Sequence, residues 1–446
     1  MKKLNYIITL LFVAVAIQLS AQNEIKKRPV KKQDMGVKEM MVDGIKVIYK
    51  PSTKDIISIA LYVKGGTTNY SKEQEGIESL TMGVLAQSGS EKYPRDKFHS
   101  TLEAMGTTVN AGSGQDNSTV TMNCLKSKWD QSWDIFADMV MHPAFDDNTF
   151  NNKKEEAINN LKQAESDPDS HIDDLINVEV YKGTNYNKMV AGTEASLTKL
   201  TVNDLKKYYS SLVAKNKLFV VVVGNLSEED IKAKVSMLKG IPMGSAPAVA
   251  STDKRPDFSS SSLFKEDRKL ATNYIKGIMD CPAPGSADYM AMKIAIQILS
   301  DRLFLEIRTK RNLSYAPYSY VAGQKNPYSA MYVSTTDPGQ SVQVMTDEVK
   351  KIRKNGFDAK ELTDKKEQYL TKYYMNLETN SALAVTIGDN ENLSTWKTAT
   401  KVLDEVQKLK LEDINAAFKK YTKSICWLYL GDTANLDEKV FTQILE

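Results

Sequence analysis

One stretch in the second half of the sequence combines side chains that can bind a reacting oxygen atom. In LFLEIRTKRNLSYAPYSY, residues 303–320, Arg308 is predicted near the C-terminal end of a helix that stops at Asn312. A strand is predicted to begin over residues 313–315, which places Tyr315 close to Arg308. A guanidinium and a phenol donate hydrogen bonds but supply no general base, so this pair suits carbonyl oxygens and developing oxyanions.

The same residues also have ordinary structural uses. Arginine is favoured at helix C-termini through the helix dipole, and tyrosine is common in strands. Tyr318 and Tyr320 alternate with Tyr315, so one face of the predicted strand would present three phenols. Such a stripe usually belongs to a core or an interface, although an extended peptide adding to a sheet edge could use it. Arg302 and Arg311 are predicted to form surface salt bridges.

Metal ligands are scarce in this sequence. Its three histidines are His99, His142 and His171, and none has another histidine within one helical turn. Zinc requires three convergent protein ligands, so these histidines do not predict a zinc site. The sequence also lacks G-x-S-x-G and H-E-x-x-H, which argues against a self-sufficient hydrolase of another kind.

Composition and charge narrow the class of protein. The chain has 446 residues, of which 26% are charged and 41% hydrophobic, an ordinary balance for a globular protein. Its mean hydropathy is −0.39, and its formal net charge is only +3. No basic field indicates a nucleic-acid partner.

The N-terminus predicts export. MKKLNYIITLLFVAVAIQLSAQ carries two lysines, an apolar run and small residues before Gln22, so residues 1–21 are predicted to be a signal peptide cleaved after Ala21. The apolar run is short for a membrane span. Residues 22–40 are predicted to be a flexible basic leader. The mature protein is expected to be soluble and periplasmic or extracellular.

The remaining chain contains an internal repeat. FDDNTFNNKKEEAINNLK begins at Phe145 and FDAKELTDKKEQYLTKYY at Phe357, with Phe-Asp and Lys-Lys-Glu at the same internal spacing. Residues 241–262, which are rich in Pro, Gly, Ser and Ala, are predicted to be a linker. The sequence therefore predicts two homologous α+β domains, at 41–240 and 263–446.

Several segments in order along the chain resemble the insulinase/pitrilysin metallopeptidases. They are the GG-x₉-G opening of the helix GIESLTMGVLAQSGS, then TVNAGSGQDNSTVTMNC, MHPAFDDNTF, VVVVGNL and RTKRNLSY. The resemblance extends from about residue 38 to residue 440. It implies a fold in which each domain is a mostly antiparallel sheet covered by helices.

Active members of this family carry H-x-x-E-H on the first long helix, where two imidazoles hold zinc and the Glu activates water. The motif falls on residues 79–83 of this chain, where Ser79, Met82 and Gly83 replace the two histidines and the glutamate. The third zinc ligand of active relatives falls on Asn160. The resemblance therefore implies a chain that holds no zinc cofactor and does not hydrolyse peptides alone.

In family members built from two such subunits, an Arg and a Tyr seven residues apart reach into the partner's zinc site and contact substrate. Arg308 and Tyr315 match this pattern. The resemblance thus implies a non-catalytic subunit that pairs with a zinc-bearing homologue and helps to bind short, unfolded peptides. A homodimer is possible. The alternative is a purely structural or binding homologue with no role in proteolysis.

Overall fold

The protein is described here from a computed structural model that covers residues 36–244, 254–434 and 436–445. The predicted signal peptide, most of the leader and residues 245–253 of the predicted linker lie outside these residues. Strand β1 starts at Lys38, so the last residues of the predicted leader, 38–40, already belong to a sheet. No helix in the described ranges combines the length and apolar character needed to cross a membrane.

The first sheet contains six strands in the order β1-β2-β6-β3-β5-β4. β2 and β6 run parallel, and the other neighbouring strands are antiparallel. β6, with the sequence LFVVVVG, is buried at every residue, as expected for a strand covered on both faces. The strands are β1 (Lys38–Val42), β2 (Ile45–Pro51), β3 (Ile56–Lys64), β4 (Thr108–Ser113), β5 (Asn117–Leu125) and β6 (Leu218–Gly224).

The second sheet contains five strands in the order β7-β11-β8-β10-β9. β7 and β11 run parallel, and the other pairs are antiparallel. The strands are β7 (Ser262–Asp267), β8 (Asn273–Asp280), β9 (Tyr318–Val321), β10 (Tyr328–Thr335) and β11 (Cys426–Gly431).

Fourteen α-helices in the described residues surround the two sheets. In the first half they are α1 (Ile77–Ser88), α2 (Arg95–Met105), α3 (Trp129–Met141), α4 (Asp147–Ser166), α5 (Pro168–Leu175), α6 (Glu194–Lys199), α7 (Val202–Leu212) and α8 (Glu228–Val235). In the second half they are α9 (Tyr289–Leu303), α10 (Pro338–Asn355), α11 (Ala359–Asn376), α12 (Asn380–Leu393), α13 (Val402–Lys408) and α14 (Leu411–Tyr421).

The strand orders confirm the duplication predicted from the sequence. Without β1, the order β2-β6-β3-β5-β4 corresponds strand by strand to β7-β11-β8-β10-β9, and the single parallel pair occupies the same place in both sheets. The repeated Phe-Asp segments immediately precede α4 and α11. The predicted α+β fold with two mostly antiparallel, helix-covered sheets is therefore confirmed.

Each half also covers the other half's sheet with one helix. α12, from the second half, packs on β3 and β6 of the first sheet, whereas α5, from the first half, packs on β8 and β11 of the second sheet. Buried apolar residues of both partners form each contact, including Ala384 and Ile387 against Tyr62, and Ile172 against Ile278. Each half therefore has a large hydrophobic core of its own, and two smaller clusters contain buried residues of both halves.

Candidate functional site

Glycines with positive φ angles frame helix α1. Gly76 precedes the helix with φ 83°, and Gly89 follows it with φ 71°. A Cβ atom on Gly76 would lie 2.8 Å from the carbonyl oxygen of Ala191, and one on Gly89 would lie 2.3 Å from that of Tyr93. Only glycine combines these backbone angles with such close approaches. The position of the helix is therefore fixed by close backbone packing at its two ends, which does not depend on any metal ligand.

The positions that match the family's zinc motif have different surroundings. Ser79 and Gly83 lie four residues apart on α1 and are half-buried, so they share one face of the helix. No heavy atom lies within 4 Å of the position that a Cβ on Gly83 would take. Met82, in contrast, is fully buried in the first hydrophobic core. Asn160 is exposed on α4, which packs against α1.

Glu78, the residue before the first of these positions, is fully buried. Its carboxylate accepts hydrogen bonds from the hydroxyls of Ser118 and Tyr208, each at 2.5 Å, and from the amide of Asn69 at 3.1 Å. Burial raises the pKa of Glu78, although these hydrogen bonds oppose the shift. Local sequence does not reveal this cluster, because Ser118 and Tyr208 are 40 and 130 residues away along the chain.

The histidines do not replace the missing ligands. His99 Nε2 lies 3.0 Å from the carbonyl oxygen of Gln87, and His171 Nε2 lies 2.9 Å from Glu266 Oε2, far along the chain. Within residues 36–244, 254–434 and 436–445, no three His, Cys, Asp or Glu side chains come together as a metal site would require.

Arg308 and Tyr315 do come together. Arg308 belongs to a π-helical turn, Phe304–Thr309, that continues α9. The carbon at the centre of its guanidinium lies 4.7 Å from the centroid of the Tyr315 ring, and its Nη1 donates a hydrogen bond of 3.1 Å to Asn312 Oδ1. Asn312 has φ 52°, which confirms that it ends the helix in the left-handed region. The contact is a cation–π interaction.

The strand predicted to begin over residues 313–315 is not present. Residues 313–317 form a loop, and β9 begins only at Tyr318. Tyr315 is therefore not on a strand face with Tyr318 and Tyr320, and its side chain is 78% exposed. The left-handed Asn312 redirects the chain, and Pro317 lacks the amide hydrogen that a strand would use.

The other two predicted phenols do share a face of β9. The ring centroids of Tyr318 and Tyr320 are 5.8 Å apart, and Tyr318 also lies 5.0 Å from Tyr332 of the neighbouring strand β10. Tyr320 contacts Tyr328, which packs against Tyr181 of the first half. Tyr320 therefore belongs to a packing surface between the two halves, whereas Tyr318 contacts rings of the second half and keeps part of its surface exposed.

Both arginines expected to form surface salt bridges have carboxylate partners, but Arg302 is mostly buried and only Arg311 lies at the surface. The guanidinium of Arg302 donates two hydrogen bonds of 2.7 Å to the carboxylate of Glu361, and Arg311 pairs with Glu306 at 2.6 Å. Arg308 has no carboxylate partner in the described part of the chain. Its donors beyond the bond to Asn312 are available at the surface.

Large apolar side chains are exposed beside Arg308 and Tyr315. Phe304 is 49% exposed, Leu305 46% and Tyr318 41%. We call this group of five residues, Phe304, Leu305, Arg308, Tyr315 and Tyr318, the 304–318 surface. Arginine and aromatic residues surrounded by apolar area are typical of the centre of protein interfaces.

Two protein-family models match the chain. The one described as Insulinase (Peptidase family M16) matches residues 46–194, and the one described as Peptidase M16 inactive domain matches residues 199–369. The crystal structure of a peptidase M16 inactive domain from Pseudomonas fluorescens superposes with a TM-score of 0.82 at 20% identity, over 90% of this chain and 100% of that chain.

Curated relatives of similar length also match. An uncharacterized zinc protease YmxG of Bacillus subtilis is 21% identical over 88% of this chain and 98% of its own length. A non-peptidase homolog YmxG of Helicobacter pylori is 25% identical over 82% and 86%. The mitochondrial-processing peptidase subunit beta of Saccharomyces cerevisiae is 20% identical over 87% and 89%.

Both family models, which together cover more than half of the chain, belong to the same family. At the four positions that the resemblance assigns to the zinc ligands and general base of active members, this chain has Ser79, Met82, Gly83 and Asn160. The chain therefore belongs to peptidase family M16, as a homologue that lacks the zinc-binding and general-base residues of the family's active members.

Proposed function

We propose that this chain is the non-catalytic subunit of an exported M16 zinc peptidase. It pairs with a zinc-bearing homologue, and its Arg308 and Tyr315 bind the peptide substrate at the partner's zinc site. The observation that carries the proposal is the contact between half-buried Arg308 and exposed Tyr315, neither of which belongs to a hydrophobic core of the described chain.

The chemistry of the pair suits a peptide. Peptide bonds present carbonyl oxygens, and the guanidinium of Arg308 and the hydroxyl of Tyr315 are hydrogen-bond donors. During hydrolysis the carbonyl oxygen gains negative charge, which a guanidinium stabilises in a site from which water is excluded. The zinc and the general base come from the partner subunit, since the corresponding positions of this chain carry Ser79, Met82 and Gly83.

The 304–318 surface supports the pairing. Exposed Phe304 and Leu305 belong to the same π-helical turn as Arg308, so docking a partner there would bury them and bring Arg308 and Tyr315 to the partner. One of the relatives of this chain is itself called a subunit. The family resemblance implies the same arrangement.

The proposal is tested with the mature chain, beginning at Gln22, purified with and without a zinc-bearing homologue encoded beside it. Zinc content and cleavage of an unstructured quenched peptide are measured for each preparation. We expect stoichiometric zinc and turnover only in the mixture. Zinc and turnover in the chain alone would refute the proposal.

A second function is a purely structural or binding subunit. The exposed apolar residues favour it as well, because they could dock a partner without any contribution from the donors. Substituting Arg308 and Tyr315 by alanine in the complex separates the two functions. Assembly with unchanged turnover would support the structural role, whereas assembly with impaired turnover would support substrate binding.

Export of the chain is a separate part of the proposal and has its own test. The predicted signal peptide ends at Ala21, outside the described residues. We propose that the mature protein is released from the membrane as a soluble chain. The N-terminal residue, determined by mass spectrometry on protein from the secreted or periplasmic fraction, should be Gln22. An N-terminus at Met1 in a membrane fraction would contradict this.

A further inference from the structure

A cavity open to solvent lies away from the 304–318 surface, in the second half of the chain. Its volume is about 470 Å³, and it is lined by residues of α9, α11, the end of α12 and α13. This volume is within the range of small-molecule sites in proteins. None of the residues discussed above for zinc or peptide binding contributes to its wall.

The wall of the cavity has more positively charged than negatively charged side chains. It contains the lysines Lys293, Lys372 and Lys401, and its only carboxylate belongs to Glu405. None of the three lysines forms an ion pair within the described part of the chain. Burial raises the pKa of Glu405, against the attraction of Lys401 and Lys293, so its negative charge is disfavoured there. The cavity therefore carries a surplus of positive charge.

Lys293 stands out among the lysines of this half. The two fully buried ones each have a carboxylate partner, Asp173 for Lys276 and Asp301 for Lys365. The half-buried ammonium of Lys293 instead lies between two aromatic rings, 5.5 Å from the centroid of Tyr289 and 5.6 Å from that of Tyr369. The ammonium also interacts with the Tyr369 hydroxyl by a hydrogen bond. Two rings and one neutral hydroxyl do not neutralise its charge, so the ammonium can still attract an anion.

Hydroxyl groups complete the wall. Ser286, Ser394, Thr395 and Thr398 line the cavity together with the phenol-bearing residues Tyr369 and Tyr373. Lysine ammonium groups combined with several hydroxyl donors suit a phosphate group, which accepts many hydrogen bonds without needing a planar fork. No arginine, the usual bidentate partner of a carboxylate, lines the cavity.

We propose that this cavity binds a small phosphate ester. Lys293, Lys372 and Lys401 hold its phosphate group, and the serine and threonine hydroxyls of the wall donate to the remaining oxygens. The organic part of the ligand lies against the rings of Tyr369 and Tyr373, since the Tyr373 hydroxyl already donates to the carbonyl oxygen of Ala399.

The internal repeat adds a structural parallel. α9 and α11 are the counterparts of α1 and α4, the helices that carry Ser79 and Asn160. Lys372 lies as far beyond Asn160 as Phe357 lies beyond Phe145. The cationic cavity thus lies at α9 and α11 of the second half. In active relatives, the corresponding pair of helices in the first half binds zinc.

The test is isothermal titration of the full mature chain at constant ionic strength, with inorganic phosphate, glycerol phosphate and acetate as probes. We expect saturable binding of both phosphate probes and weaker binding of acetate. Lys372→Ala and Lys401→Ala, which change exposed side chains, should each weaken phosphate binding roughly tenfold, and Lys293→Met should abolish it. Lys408→Ala is the matched control, since it removes the same charge from α13 outside the cavity.

The substitution Glu405→Gln should change the affinity for phosphate in the opposite direction. Removing the wall's only carboxylate should tighten binding of inorganic phosphate, whereas a variant that merely loosened the fold would weaken it. Four outcomes would overturn the proposal: no saturable binding of either phosphate probe, equal losses in Lys408→Ala and Lys372→Ala, no tightening in Glu405→Gln, or acetate binding as tightly as phosphate.

Discussion

The guanidinium of Arg308 lies 4.7 Å from the ring centroid of Tyr315, although the two residues belong to different local structures. Arg308 is in the π-helical turn that ends α9, and Tyr315 is in the loop before β9. The left-handed Asn312 turns the chain between them and also accepts a hydrogen bond from Arg308. One short connection thus presents two hydrogen-bond donors together at the surface.

Substitution of Arg308 or Tyr315 by alanine should leave the chain folded. An exposed cation–π contact contributes about 0.5–1 kcal/mol, so each variant should lose no more than this from its free energy of unfolding. Urea denaturation of the isolated chain measures the change.

The matched control is Arg302→Ala, on the same helix. Arg302 is mostly buried and makes two hydrogen bonds to Glu361, so its loss should cost about 2–3 kcal/mol. If Arg308→Ala is as destabilising as Arg302→Ala, then Arg308 is a structural residue and the proposed role in substrate binding loses its main support.

Gly388→Ala should disrupt the packing of α12 on the first sheet. A Cβ at Gly388 would lie 2.1 Å from Cε2 of Tyr62, a fully buried ring on β3 that cannot move without disturbing its neighbours. Alanine gains about 1 kcal/mol of helix propensity over glycine, but overpacking of this kind costs about 1–3 kcal/mol, so we expect a net loss of stability.

Gly83→Ala is the control for this substitution. Gly83 also lies inside a helix, and open space surrounds its Cβ position, so the helix-propensity gain should appear without a clash. Urea denaturation of both variants should give shifts of opposite sign. Shifts of the same sign would mean that α12 is not seated as closely on β3 as the structure indicates.

Asp389 should make stability fall as the pH rises through the acid range. The hydroxyl of Tyr62 donates a 2.9 Å hydrogen bond to its carboxylate, but burial dominates and raises the pKa of Asp389. Between the unfolded value, about 4, and the raised folded value, the folded chain holds more protons than the unfolded chain. Folding is therefore favoured at the lower end of this interval and loses stability as the pH rises through it.

Asp389→Asn removes this titration and keeps an oxygen that can accept from Tyr62. We expect the variant to be at least as stable as the wild type at pH 7, with a flatter dependence of the unfolding free energy on pH above about 4. Asp347→Asn, a surface substitution on α10, makes the same change of charge. An equal effect of both substitutions on the pH profile would contradict the assignment to Asp389.

The triple substitution Ser79→His, Gly83→His and Asn160→Glu should create a zinc site. Two imidazoles four residues apart share a face of α1, and there is open space at Gly83 to admit one. We expect stoichiometric zinc after dialysis, measured by atomic emission, but no peptide cleavage, because the general base is still absent. The variant with only the two histidines is the control and should retain less zinc.

Met82→Glu should not complete the site in this chain. Met82 is fully buried in the first hydrophobic core, so a carboxylate there loses its hydration and gains no polar partner among the surrounding apolar side chains. A loss of several kcal/mol of stability is expected from burial of an unpaired charge. A Met82→Glu variant of wild-type stability that also cleaves peptide would show that α1 can rotate to expose this position.

The internal repeat shows which features of the fold can be predicted from short segments of the sequence. The apolar runs, the glycines that end helices and the repeated Phe-Asp segments were sufficient to predict two homologous halves with sheets covered by helices. Strands and caps depend on neighbouring residues, so their signals are present in short segments. The same reasoning failed at residues 313–315, where the tyrosine spacing suggested a strand but Asn312 and Pro317 favour a loop.

The sequence by itself determined the family and the absence of the zinc ligands, and it identified Arg308 and Tyr315 as a candidate pair. These conclusions depend on residue identity and spacing. Only the tertiary structure decided that α5 and α12 each pack on the sheet of the other half. It also decided that Glu78 is buried among three hydrogen-bond donors, and that Lys293 lines a cavity without forming an ion pair in the described part of the chain. The physical reason is that burial and charge balance at these residues depend on groups far away along the chain, which meet only when hydrophobic surfaces from both halves are packed together.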